Sequence, residues 1–166
     1  MKRTLLLVIF APLLLVLGTT LPAQAVSPHF ISASATLNGN GSLTANFKEA
    51  GLGTNASIDY KLSADATATY VCVNKGGANP SAQNKTTVAG PVSASGSFSS
   101  GKNGNVVGSL TVTPPSSDIS CPKGQSLQLA SVSYTHVTLA DTTNGVSVSL
   151  GDFTSGCLLP NVRGAC

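Results

Sequence analysis

Apolar residues in this chain recur at every second position over short stretches, and the stretches end at Gly, Asn or Pro. That alternation confines the chain to β-sheet, because strands point successive side chains to opposite faces while helices repeat every ~3.6 residues. Residues 30–37 read as a first strand. Asn38-Gly39-Asn40-Gly41 is a turn signal, since Asn and Gly tolerate positive φ, and Leu43, Ala45 and Phe47 make the returning strand. Gly51-Leu52-Gly53 breaks it. Ile58, Tyr60 and Leu62 share one face of a third strand, and Ala66, Ala68, Tyr70 and Cys72 one face of a fourth, with Thr67, Thr69, Val71 and Val73 opposite. Asp59 and Asp65 flank a hairpin between them. Residues 74–90 form a long polar connection. Strands resume over 92–98 and 106–112. The run Thr113-Pro114-Pro115-Ser116-Ser117-Asp118 is a loop, because Pro donates nothing to a central ladder. Residues 127–139 are the longest strand, and Asn144-Gly145 turns the chain into Val146, Val148 and Leu150. About eight strands at this spacing predict an all-β, immunoglobulin-like Greek-key β-sandwich. The lack of Trp removes one immunoglobulin hallmark.

The segment before this pattern has a different character. Lys2 and Arg3 precede an apolar run over residues 5–17, and Ala23-Gln24-Ala25 offers small residues at a cleavage point. That order is a secretory signal peptide over residues 1–25, its apolar run too short to span a bilayer comfortably. The expected organisation is therefore signal peptide 1–25, sandwich domain 26–156 and C-terminal tail 157–166. Export also changes the charge. The net +3 includes Lys2 and Arg3; without them seven basic residues face six acidic ones, a balance of +1. Near-neutrality gives no electrostatic case for nucleic acid or an anionic membrane, and the lysines read as isolated and solvated.

Secretion licenses reading the cysteines as bridges. Cys72, Cys121, Cys157 and Cys166 allow three pairings. Cys72–Cys121 and Cys157–Cys166 are favoured: the first ties the fourth strand to the end of the Pro-rich loop, the second staples the tail. A free Cys166 cross-linking to another molecule is the alternative. No Cys-x-x-Cys occurs and no His stands beside a cysteine, so metal or redox chemistry has no footing.

Catalytic chemistry has little support. His29 lies near the new N-terminus, and His136 falls in the 127–139 strand, in step with Val132 and Tyr134, which makes it a structural residue. No Gly-x-Ser-x-Gly elbow is present, and no Asp-x-Asp-x-Asp calcium loop. A copper brace needs His as the first mature residue. An N-terminal copper motif needs a free amide before a third-position His, and Pro28 has none. The expectation is no enzyme, no metal and no cofactor. Carbohydrate binding relies on exposed aromatics; Phe47, Phe98 and Tyr70 read as core, leaving Tyr60 and Tyr134 as exposed candidates. Asn40, Asn55 and Asn84 begin Asn-x-Ser/Thr sequences that a eukaryotic secretory pathway would glycosylate.

Five stretches carry a resemblance: residues 28–35 (Pro28-His29-Phe30 onward), 47–53 (Phe47-Lys48-Glu49 onward), 68–74 (Ala68-Thr69-Tyr70 onward), Ser100-Gly101-Lys102-Asn103-Gly104 and Cys121-Pro122-Lys123-Gly124-Gln125. Together they resemble an uncharacterised family of small secreted β-sandwich proteins of actinobacteria and related soil bacteria. The similarity spans about residues 28–150, and the tail is atypical of it. The resemblance implies an extracellular protein and supplies neither activity nor site residues. A looser similarity to exported enediyne-carrying apoproteins rests on a Gly-Leu turn followed by a Tyr-bearing strand; their cysteine spacing is not reproduced.

The leading expectation is a secreted, extracellular, non-enzymatic module that presents loops 74–90 and 113–124 to an extracellular protein, glycan or cell-envelope partner, without nucleic acid or membrane insertion. Long polar loops on a rigid scaffold carry recognition, and Lys75, Asn79, Asn84 and Lys85 are its binding candidates. The second is a small molecule or glycan in a cleft between the sheets, at Tyr60 or Tyr134. The third, an extracellular enzyme, requires His136 within reach of a carboxylate beside an open pocket.

Overall fold

In a computed structural model, residues 27–78 and 84–166 are described. The expected signal segment 1–25 and Asn79 lie outside them. The described residues form seven strands and no α-helix: β1 His29–Leu37, β2 Leu43–Ala50, β3 Ser57–Asn74, β4 Lys85–Ser99, β5 Val106–Val112, β6 Gln125–Asp141 and β7 Val146–Thr154. All named strand pairs are antiparallel. They build a three-stranded sheet, β1-β2-β5, and a four-stranded sheet, β4-β3-β6-β7, packed as a sandwich.

Two expectations are corrected. The third and fourth strands are one 18-residue strand, so no hairpin separates Asp59 from Asp65. The reason is local: Ser63 and Asp65 are turn-compatible, but no Gly, Pro or Asn stands between Ile58 and Ala68 and the alternation continues unbroken through them. The connection expected over 74–90 is also shorter, because residues 85–90 belong to β4. Thr86, Thr87 and Val88 favour a strand, and they pair with Tyr70, Thr69 and Ala68. Pro91 is tolerated because β4 is a sheet edge.

The inward positions fill one core. Leu43, Ala45 and Phe47 from β2 meet Ile58, Tyr60 and Leu62 from β3, with Val132, Val137 and Leu139 from β6. Phe47 is the centre of an aromatic cluster, 4.5 Å from Tyr60 and edge-on to Phe98 at 5.5 Å between ring centroids. Gly108 makes room for it: a β-carbon there would sit 2.7 Å from the Phe47 ring and 2.8 Å from that of Phe98. The Tyr134 hydroxyl donates to the Gly41 carbonyl at 2.7 Å, tying β6 to the β1–β2 turn on the other sheet. Burial pushes that phenol up to about 12. Tyr60 and Tyr134, expected as exposed platforms, are 1% and 0% exposed. Both occupy inward positions of their strands, where alternation had already set their apolar neighbours.

A second, smaller core lies on the opposite face of the four-stranded sheet. Val71, Val73 and Ala130 are buried there beneath Leu159, Val162 and Ala165 of the tail. Both favoured bridges are present, Cys72–Cys121 and Cys157–Cys166, and the second closes the tail that supplies this cover.

At the sandwich end where β2 finishes, Glu49 is fully buried, and neither carboxyl oxygen has a hydrogen-bond partner. Facing it are the Tyr60 hydroxyl, also unpartnered, the Asp141 carboxylate and, more remotely, His29. Asp141 is buried too, but it accepts from the Thr143 and Asn144 amides and from the Asn144 side chain at 2.6–2.9 Å. Desolvation foremost, then the nearby Asp141 charge, holds the Glu49 carboxyl above its ordinary range. A carboxyl raised in the folded state leaves stability intact below the ordinary carboxylate range. Stability then declines as pH rises toward the folded value, because the unfolded chain releases its proton first. Glu49→Gln removes that proton. In urea unfolding from about pH 4 to 9, the variant should lack this part of the decline and be more stable than wild type at the alkaline end.

Candidate functional site

Two surfaces bring chemistry-bearing residues together. The first is the sandwich end formed by the β1–β2 turn, the β3–β4 and β5–β6 connections and the tail. β3 and β6 run past the three-stranded sheet here, and both faces of the overhang are covered. On the inner face, the β5–β6 connection is fixed by Cys72–Cys121 and by the Tyr70 hydroxyl, which donates to the Pro115 carbonyl at 2.9 Å. On the outer face lies the tail, where Ala78 and Arg163 form an isolated parallel bridge. The turn after β3 is closed by Asn74, whose amide donates to the Ala78 carbonyl and whose Oδ1 accepts from the Ala78 amide. Asn84 Nδ2 donates to Gln125 Oε1 at 3.2 Å across the β4–β3–β6 entrance. A groove of about 320 Å³ opens here, lined by Val73, Asn74, Lys75, Gly124, Gln125 and Ser126.

Of the sequence candidates, Lys75, Asn84 and Lys85 therefore share this end. Lys75 is exposed in the turn, and Lys85 is half-buried opposite Val71. Tyr60 and Tyr134 lie in the core instead. The sequence pattern marks the 113–124 connection and the start of the 74–90 one, whose last six residues are strand, and does not place the tail as the third wall. Its sequence signal is Val71 and Val73, two apolar side chains on the strand face opposite Tyr70 and Cys72.

The second surface surrounds His136. The alternation of β6 changes phase at this residue: Tyr134 and Val137 are both buried, and the extra residue between them is His136. This is a β-bulge, and it corrects the expectation that His136 stays in step with Val132 and Tyr134 along the strand. Its φ is +53°, a conformation uncommon outside Gly and a marker of local strain. Its neighbours hold it there. The Asp152 carboxylate accepts from its backbone amide at 3.0 Å, and Thr138 donates its hydroxyl to its carbonyl at 3.2 Å. Its side chain is 83% exposed, and Nδ1 lies 3.1 Å from Asp65 Oδ2. An open groove of about 420 Å³ adjoins the ring, with Lys61, Ser63, Pro91 and Ser93 among its walls. The bulge has no signal in the sequence pattern, because it depends on how β6 pairs with β3 and β7.

Among the described residues no group of three or more His, Cys, Asp or Glu side chains could hold a metal, and no helix is long and apolar enough to cross a membrane. Compared with protein-family models, curated proteins and solved structures, the chain matches none.

If the bulge stores strain, its relief is measurable. His136→Gly should leave the thermal midpoint unchanged or raised, since Gly adopts this φ freely and an exposed ion pair contributes only about 0–1 kcal/mol. His136→Val should lower stability by about 2 kcal/mol, because a β-branched side chain clashes in the left-handed region.

Proposed function

We propose that this protein is an exported, non-enzymatic binding module that presents segments 74–90 and 113–124 to an extracellular protein, glycan or cell-envelope partner. The observation that carries this reading is the convergence of the two connections and the tail at one end, clamped by Cys72–Cys121, Asn84–Gln125 and the Ala78–Arg163 bridge. Clamped loops lose little entropy on binding, which favours affinity. Two disulfides suit an oxidising, extracellular environment, in keeping with the signal-like segment and the resemblance to small secreted proteins. The strand order supports an immunoglobulin-like Greek key: β4 stands beside β3 on the sheet of β6 and β7, where variable-type domains carry an added strand. The fold departs from that class in having no Trp and in bridging β3 to a loop.

A cleft between the sheets has less support, since the Tyr60 and Tyr134 rings are packed inside. The enzyme reading has one observation in its favour. Asp65 engages Nδ1 of His136 beside an open groove, leaving Nε2 free to accept a proton. Nucleophilic catalysis also calls for a hydroxyl or thiol in contact with that nitrogen. None of the described hydrogen bonds supplies one, and binding is the better-supported reading.

The test is capture from cell-envelope and secreted fractions by the disulfide-bonded protein. Lys75→Ala combined with Asn84→Ala and Gln125→Ala should weaken capture about tenfold or more, a loss of roughly 1.4 kcal/mol. His136→Ala should leave it unchanged. Equal capture by wild type and the loop variant would remove the loop end from the function.

A further inference from the structure

The seven basic residues outside the signal-like segment read as scattered along the sequence, yet the fold sorts them. Lys75, Lys85, Lys123 and Arg163 all come to the clamped loop end: Lys75 after β3, Lys85 opening β4, Lys123 just before β6, and Arg163 on the tail beside Ala78. Asp118 is the one acid carried by the connections there. The remainder of the described chain holds Lys48, Lys61 and Lys102 against Glu49, Asp59, Asp65, Asp141 and Asp152. The molecule is thus close to neutral in sum but polar along its long axis. Lys75, Lys123 and Arg163 are exposed, and the one ion pair among the described residues joins His136 to Asp65, far from them in the sheet register.

We infer that the loop end is a docking face for a polyanionic glycopolymer, a hydroxyl-bearing chain with repeated phosphate or carboxylate groups. This inference rests on the binding-module reading above. Charge is the first reason: several uncompensated cations on a rigid frame attract and orient a polyanion. The neutral groups between the cations are the second. The Asn84–Gln125 contact uses one atom of each amide, leaving Asn84 Oδ1 as acceptor and Gln125 Nε2 as donor for sugar or polyol hydroxyls. Ser126 lines the same groove. A nucleic acid fits less well. Single strands are held by aromatic stacking, but among the described residues no aromatic ring is an exposed large hydrophobic side chain, and Tyr70 is tied to Pro115.

The experiment measures retention of the disulfide-bonded protein on immobilised poly(glycerol phosphate), polygalacturonate and a single-stranded oligonucleotide. Wild type should bind one or both of the first two, and which one identifies the anion. Affinity should fall about 20-fold between 50 and 200 mM salt, as expected for roughly three charges neutralised on a single-chain polyanion. The triple variant Lys75→Ser, Lys123→Ser, Arg163→Ser should bind at least tenfold more weakly. Lys48→Ser, Lys61→Ser, Lys102→Ser, which changes net charge by the same amount, should stay within twofold of wild type. Circular dichroism establishes that both variants are folded. Equal losses in the two variants would reduce the effect to net charge and overturn the assignment, as would preference for the oligonucleotide or retention on neither polymer. If the variant Lys75→Ala, Asn84→Ala, Gln125→Ala loses envelope capture while wild type ignores both polymers, the polyanion assignment falls and the module reading stands. If that variant also captures like wild type, both fall.

Discussion

The two sheets of this sandwich differ in length, and much of the molecule answers that difference. β3 has 18 residues and β6 has 17, while β2 has 8 and β5 has 7. At about 3.3 Å per residue the long strands exceed the short ones by roughly 30 Å. Such an overhang would leave apolar side chains in water on both faces. The inner face is closed by the β5–β6 connection through Cys72–Cys121 and the Tyr70–Pro115 hydrogen bond. The outer face is closed by the tail, whose Leu159, Val162 and Ala165 cover Val71, Val73 and Ala130. A ten-residue segment cannot hold such a position by its own small core, and the Cys157–Cys166 bridge limits the freedom it would regain on release. The clamped loop end is a consequence of this solution. Chain segments recruited to cover an overhang also present their polar edges side by side.

Along β6, the same strand that carries the overhang has to serve two partners with different registers. Its pairing slips between Ser131 and Leu129 against β3, and again around His136 against both β3 and β7. The first slip turns Ala130 outward into the tail core, so the bulge and the tail are coupled features. The second ejects His136 to solvent while Tyr134 and Val137 both stay buried. The polar contacts around His136 form where the ladder is interrupted. Asp152 satisfies an amide that the broken pairing would otherwise leave unmade.

These features explain how far the sequence could be read. Most strands, the Pro-rich loop and both disulfides follow from alternation, turn chemistry and cysteine placement, which are local signals. Tyr60 follows the face that Ile58 and Leu62 set, and its phase along β3 overrides the exposure that its hydroxyl suggests. His136 is the opposite case: phase does not carry through a bulge that depends on pairing with β3 and β7. The positions of Arg163 and Lys123 were beyond local reading altogether. Arg163 reaches the β3–β4 turn because the tail folds back onto the sheet, and charge clustering of that kind is a property of topology.

The two ends of the sandwich place their polar groups under opposite conditions. At the β2 terminus, Glu49, Tyr60 and Asp141 are enclosed, with two of the three lacking partners. Burying a carboxyl without donors is unfavourable unless it stays protonated, so this end is a weak point whose strength depends on pH. At the loop end the cations are solvated, and their chain segments are held by two disulfides and backbone bridges. Solvated lysines add little to stability, so fixing the backbone that carries them is not explained by the fold's own needs beyond covering the overhang. The covering requires Val162 and Ala165, not Arg163, and Cys121, not Lys123. Each cation sits within three residues of a covering or bridging residue, and that proximity turns a packing solution into a fixed array of charge.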